Sequence, residues 1–258
     1  MLYYCPLEPY KERYTLQWSA PKTGWLERNW LKQEVAYYRV SGKLPEGAGS
    51  IRTGCVLDAV KRSKFAFSQI EELLTLADNG VITSNDVIYF DDFWHPGIEA
   101  LPYAFHLFGI RPRMYAFLHA QSVDEFDFTY PMRSWMRPFE VGIASALEGI
   151  FVCGPCLRDL VVFGGIAGRE KVHITGHPFN SEEVRERMPK IDQPRLDQVV
   201  YSSRWDQEKS PWFFLKVARE VVKARPQARF VVCTGSQTIR SNDPGLVTLL
   251  HQACHDLP

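Results

Sequence analysis

Short apolar runs alternate along the 258-residue chain with longer stretches of helical spacing. Runs of β-branched and aromatic residues bounded by turn residues read as buried strands, and the longer amphipathic stretches read as helices. Strands are predicted at Met1–Cys5, Glu34–Val40, Val87–Phe90, Met114–Leu118, Gly149–Cys153 and Lys171–Thr175, then at Gln198–Tyr201 and Arg229–Cys233. Helices are predicted at Val56–Ala77, Ile98–Phe108, Phe139–Leu147, Leu157–Phe163, Pro211–Ala224 and Leu246–Ala253. The Tyr14–Lys32 region holds the crossover between the first two strands, with Thr23-Gly24-Trp25 turning into a helix. Such alternation implies an α/β protein with parallel sheets. The segment Ser181–Pro194 is rich in charge and proline. It divides a first lobe (residues 1–185) from a second (196–258) through a linker at 186–195. Two strands and two helices are too few to enclose a core of ordinary size. The second lobe is therefore expected to be the truncated front part of a larger domain.

Composition narrows the class. Hydrophobic residues make up 45% of the chain and aromatics 13%, which excludes a disordered protein. The formal net charge is zero, so no global field announces nucleic-acid or anionic-membrane binding. No run of about 18 apolar residues marks a membrane span, and no membrane partner is expected. The N-terminus lacks the basic flank and cleavage site of a signal peptide. Six scattered cysteines fit reduced thiols, and the expected setting is the cytoplasm.

The most informative stretch runs from Val199 to Lys209. It reads as a strand, a turn, and two cations, Arg204 and Lys209, that open an amphipathic helix. Backbone N–H groups at a helix start, the helix dipole and two fixed cations together suit a diphosphate. The plainer alternative is an ordinary strand-to-helix connection with surface charges.

A wider pattern surrounds this motif. The first lobe closes on KVHITGHPF (171–179), and the second opens on VVYSSRWDQEKSPWFFLKVAREVVKARPQARFVVCTG (199–235). This resembles the GT-B glycosyltransferases, in the retaining group that includes sucrose synthases and bacterial mannosyltransferases. Arg204 and Lys209 stand at the family's Arg and Lys positions, Pro226 at its turn and Gly235 at its strand end. Ser203 replaces the family's Gly. The resemblance is close over residues 196–236 and looser across the first lobe. It implies two Rossmann-like lobes, each with a parallel sheet, and a nucleotide diphospho-sugar as co-substrate, with no cofactor and no metal required. Arg204 and Lys209 would neutralise the leaving diphosphate, an effect worth roughly 10² to 10³ in rate per group. Ser203, Gly235 and Gly24 would line the donor site. His119, at the end of a strand, would act beside them on the donor sugar; a satisfied, partly buried histidine is the alternative. The family's later Glu-x₇-Glu motif has no match in its proper place. Glu140 and Glu148 have the spacing but sit on a first-lobe helix, and short motifs recur by chance.

Asp91, Asp92, Trp94 and His95 follow a strand and precede a helix, and they suit recognition of a hydroxylated acceptor. An Asp that merely caps the helix is the competing reading. Asp124 and Asp127 border the same region or are simply solvated. The stretch KERYTLQWSAPKTGWLERNW (11–30) is similar to bacteriophage glycosyltransferases, some of which modify hydroxymethylated bases in DNA. An extruded base would stack on Trp18, Trp25, Trp30, Phe93 or Trp94, with Lys11, Arg13, Lys22, Arg28 and Lys32 on phosphates. An aromatic core with solvated charges is the preferred account of any single one of these residues. The acceptor is thus a hydroxymethylated base in DNA or a carbohydrate, and phage origin would make the setting the host cytoplasm.

Cys153-Gly154-Pro155-Cys156 has a thioredoxin-type spacing. It lacks the β-α-β start and later Ile/Val-Pro-Thr turn of that fold, and it reads as a strand-to-helix turn. Zinc held with His173 and His177 is rejected, because an extended chain sets those rings about 13 Å apart. Two rival classes complete the picture. One is a GT-B-like binding or scaffold protein without catalysis, and the other is a thioredoxin-like redox protein.

Overall fold

The computed structural model describes residues 1–9, 18, 22, 24–26, 36–44, 59–119, 122–125, 127, 129–178, 184–186, 188, 197–233, 239, 241 and 243–255, the side chains of 208, 254 and 255 excepted. The described residues up to 178 form one compact unit, and those from 184 onward form another. Most of the predicted linker and of the Tyr14–Lys32 crossover lies outside the described residues.

The first unit is α/β and Rossmann-like. Its strands are β1 (Leu2–Cys5), β2 (Tyr37–Arg39), β3 (Val87–Phe90), β4 (Arg113–Leu118), β5 (Gly149–Val152) and β6 (Val172–Ile174). They form one sheet in the order β2-β1-β3-β4-β5-β6, parallel at every pairing. Helices α1 (Ala59–Asp78), α2 (Ala100–Leu107), α3 (Arg133–Ala146) and α4 (Pro155–Phe163) fill the connections after β2. All of these connections step across the sheet in one direction, so right-handed crossovers lay the four helices on one face. Ile88, Phe90, Met114, Leu118, Ile150 and Val152 on that face pack with Leu73 of α1, Phe105 of α2, Ile143 of α3 and Val161 of α4. The step from β1 to β2 runs the other way, and its connection covers the opposite face, where Leu26 packs on Leu2 and Tyr4. That face is aromatic. Tyr4 stacks on Tyr37 and Tyr89 at 6.1 and 6.0 Å between ring centroids, and Tyr115 stacks on Phe151 at 5.8 Å.

Strand β3 has the bounds the hydrophobic pattern predicts, and most other elements agree to within a few residues. Helix α3 differs more, beginning at Arg133 rather than Phe139 and running through Pro138. Proline removes one backbone hydrogen bond, which is why the sequence reading starts the helix after it. Met136, upstream of the proline, is buried on the same face as Glu140, Ile143 and Ala144. The contacts of that continuous face outweigh the missing bond.

The second unit contains β7 (Gln198–Tyr201), α5 (Pro211–Ala224), β8 (Arg229–Val232) and α6 (Pro244–His255). Strands β7 and β8 pair in parallel, the arrangement a helical crossover permits. Tyr201, Trp205, Leu215, Leu246 and Leu250 form its core. No helix among the described residues is long and apolar enough to cross a membrane.

Candidate functional site

Strand β1 lies between β2 and β3, and the chain leaves the β1 neighbourhood in opposite directions on its two sides. In open parallel sheets this reversal opens a crevice beyond the carboxyl ends of the strands, where ligands bind. Asp91 leaves β3 and His119 leaves β4 at this edge. His119 Nε2 lies 2.7 Å from the Asp91 carbonyl oxygen. A carbonyl only accepts, so Nε2 carries the proton and the lone pair sits on Nδ1. Burial holds the His119 imidazole below its ordinary value, so it is neutral at pH 7.

The Asp91 carboxylate is 1% exposed and accepts from the Tyr4 hydroxyl and the Lys22 ammonium. Lys22 also donates to the Tyr89 hydroxyl at 2.8 Å. Its Nζ lies 4.8, 4.9 and 5.5 Å from the ring centroids of Trp18, Tyr89 and Phe117, within cation–π range. Burial lowers the Lys22 pKa against the opposing pull of Asp91. Burial, reinforced by the Asp91 charge, raises the Tyr4 and Tyr89 phenols well above their usual range. Trp18 meets Phe117, His119 and His177 edge-on at 5.0, 4.7 and 5.0 Å. These side chains form a nest of aromatic surface, imidazole and ammonium. Trp18 and Phe117 are themselves buried in this nest, at 6% and 2% exposure, and His177 is its exposed ring.

The other acidic residue of the predicted acceptor set is held internally. Arg62 on α1 donates to Asp92 and to the Trp94 carbonyl at 2.8 Å, and its Nη1 lies 3.3 Å from both oxygens of Glu8. Burial pushes Asp92 up, but the Arg62 charge, with hydrogen bonds from the Trp94 backbone and Arg62, outweighs it and holds the carboxyl below its usual value. Asp92 also accepts the Trp94 backbone N–H at 2.9 Å and so closes its own turn; it does not cap the next helix, whose N-cap is Glu99. His95 is 6% exposed, with Nε2 at 2.9 Å from Gln69 Oε1. The Gln69 amide donates to the carbonyls of Pro6 and Val40, so His95 is the donor in this pair. Trp94, part-exposed, gives its indole N–H to Glu140. Asp91, His119 and Lys22 therefore come together; Asp92 and His95 belong to a neighbouring buried network, and Phe93 is fully buried. Asp127 accepts from the backbone and hydroxyl of Thr129.

In the second unit, Arg204 and Lys209 follow the carboxyl end of β7 but precede the helix. A one-turn 3₁₀ segment spans Gln207–Lys209, and α5 opens only at Pro211. Proline disfavours right-handed helical backbone in the residue before it, and Ser210 adopts φ 52°, ψ 49°. The N–H groups of Lys209 and Ser210 bond Asp206 and Gln207 carbonyls at 2.9 and 3.0 Å, and Pro211 has none. Fewer backbone donors therefore face a diphosphate than a helix opening at Lys209 would supply. Arg204 Nη1 pairs with Asp206 at 2.9 Å, and the same buried carboxylate accepts the Ser241 hydroxyl at 2.9 Å. Tyr201 donates to the Arg204 carbonyl at 2.9 Å, bracing the loop from beneath. Lys209 is exposed, and Ser203 is part-exposed beside Arg204. Gly24 lies in the helical turn 24–26; Thr23 and Gly235 lie outside the described residues.

The sequence reading missed Tyr4, Glu8, Arg62 and Gln69, and it set Glu140 aside. Their partners lie 18 to 87 residues away, so no local spacing marks them. Among the described residues no cluster of His, Cys, Asp and Glu is arranged to hold a metal ion. No protein-family model and no curated protein matches the chain.

Proposed function

We propose that the chain is a retaining glycosyltransferase of GT-B type, moving a sugar from a nucleotide diphospho-sugar to an acceptor hydroxyl. One observation carries the reading: polar residues of the resembled pattern emerge at the carboxyl ends of parallel strands in both units, His119 after β4 and Arg204 after β7. Ligands of such sheets bind at those ends. Arg204 and Lys209 stabilise the diphosphate as the glycosidic bond breaks. A diphosphate oxygen takes the acceptor proton, so no side-chain base is required. His119, neutral and held through Nε2 by the Asp91 carbonyl, contacts the donor sugar. Trp94, part-exposed, offers ring surface to the acceptor, a hydroxymethylated base in DNA or a carbohydrate, in the cytoplasm. Asp91 acts through Lys22 and His119 rather than by touching the acceptor.

The Arg204–Asp206 pair favours a second reading, a GT-B-like binding protein without turnover, because it neutralises one of the two cations. The test is a panel of nucleotide diphospho-sugars, read by thermal shift and by release of nucleoside diphosphate in the presence of hydroxymethylated DNA or oligosaccharides. Selective stabilisation with turnover supports the enzyme, and stabilisation alone supports the binding protein. No response to any donor removes both.

A further inference from the structure

We infer that Cys153 and Cys156 form a reversible dithiol–disulfide couple at the carboxyl edge of the first unit's sheet, oxidised by a low-molecular-weight disulfide of the glutathione class. Among the described residues Cys5, Cys153, Cys156 and Cys233 are free thiols. Cys5 is buried within β1, and burial pushes its thiol well above the usual range. Cys233 is exposed but belongs to the second unit. Of these four described thiols, Cys153 and Cys156 combine accessibility with a thiol close in sequence, the first part-exposed and the second exposed.

The backbone between them is suited to closing and opening. Cys153 directly follows β5, Gly154 caps α4, Pro155 is the first helical residue and Cys156 the second. Gly154 is extended, with φ −168° and ψ 173°, which carries Cys153 away from the first turn of the helix. A disulfide requires Cα atoms roughly 4.4–6.8 Å apart. Rotating Gly154 toward helical values folds Cys153 over that turn. A Cβ at Gly154 would meet nothing within 4 Å, so no side chain crowds the joint itself. Pro155 fixes the helical side of the joint, so the motion is confined to Gly154 and Cys153.

The exchange balances without any further reactant. The exposed Cys156, as thiolate, attacks the small disulfide, forming a mixed disulfide and expelling one small thiolate. The Cys153 thiolate then attacks the Cys156 sulfur, forms the intramolecular bond and expels the second. The protein dithiol loses two electrons, the small disulfide gains them, and its two thiolates take up the two protons. Residue Val152 pairs with Leu118, so Cys153 leaves the sheet beside His119. The couple therefore borders the candidate site, although its chemistry is independent of glycosyl transfer.

The experiment equilibrates the full chain with mixtures of reduced and oxidised glutathione, quenches with an alkylating agent and maps the peptides by mass. The expected result is a peptide carrying a Cys153–Cys156 bond that disappears on treatment with dithiothreitol. It forms at poises where Cys233 is still mostly alkylated. In Cys153→Ser the glutathione adduct is trapped on Cys156, because the resolving thiol is gone. The inference is overturned if Cys153 and Cys156 remain alkylated in step with Cys233, or if Cys153→Ser accumulates no adduct on Cys156. Circular dichroism matching the wild type shows that the variant is folded.

Discussion

The Glu140 carboxylate on α3 accepts the Trp94 indole N–H at 3.0 Å while holding Ser122 through its backbone N–H at 3.0 Å and its hydroxyl at 2.6 Å. One fully buried side chain thus ties the turn after β3 to the loop after β4, the segments that carry Trp94 and follow His119. The site is held from the helical side of the sheet. Its rigidity depends on a residue that touches no ligand.

Glu140→Ala leaves three donors without their acceptor, and each buried unsatisfied group costs about 1–3 kcal/mol. We expect a loss of about 3–5 kcal/mol in urea unfolding, and roughly half that for Glu140→Gln, which keeps one acceptor oxygen. A loss below about 1 kcal/mol in both variants would refute the clamp.

Arg62 compensates two buried carboxylates, Glu8 and Asp92. Removing one partner from a buried ion network costs about 3–5 kcal/mol, and Arg62→Met should fall in that range. The acid limb carries a second signature. The folded pKa of Asp92 lies below its unfolded value of about 3.9. Its contribution is complete above about pH 4 and is lost as pH falls through the folded value. Urea midpoints measured from pH 5 downward should fall less steeply in Arg62→Met than in the wild type.

His95 titrates in a different window. Burial, assisted by the Arg62 charge, lowers its imidazole to about 3, against about 6.5 in the unfolded chain. Between those values the unfolded state binds a proton that the folded state does not, so stability falls as pH drops below about 6.5. The full effect is on the order of 4 kcal/mol, reached near pH 3. His95→Gln should flatten the stability profile between pH 6.5 and 4. An unchanged slope there would show that His95 is not the titrating group.

The two cations of the second unit should behave differently when removed. Lys209 is exposed, so Lys209→Ala should shift unfolding by less than about 0.5 kcal/mol. Under the proposed function it should lower turnover about 10²-fold. Arg204→Ala also strips a partner from the buried Asp206, and a stability loss of about 1–2 kcal/mol is expected besides the lost turnover. Asp206→Asn in the Arg204→Ala background should recover much of that stability and none of the activity. Recovery of activity would show that Arg204 acts only by neutralising Asp206.

Much of the architecture was legible because strand and helix periodicities are written by neighbouring residues. Val87–Phe90 reads as a strand from its own four side chains, and Pro211–Ala224 as a helix from its amphipathic spacing. The start of α3 was less legible, since a local proline rule argued against contacts that only packing supplies. In the candidate site, the emergence of Asp91 and His119 at strand ends could be read from the chain, whereas the pairing of Arg204 with Asp206 could not. That His95 is enclosed and Asp92 bound to Arg62 could not.

By itself the amino-acid order determined the succession of strands and helices, and with it a parallel α/β sheet, because right-handed crossovers leave few other arrangements. Tertiary structure alone decided which charges meet. Lys22 reaches Asp91 across 69 residues, and Arg62 reaches Glu8 across 54. Such pairs depend on which strands become neighbours and which face a connection covers, and side-chain charge acts through space rather than along the chain.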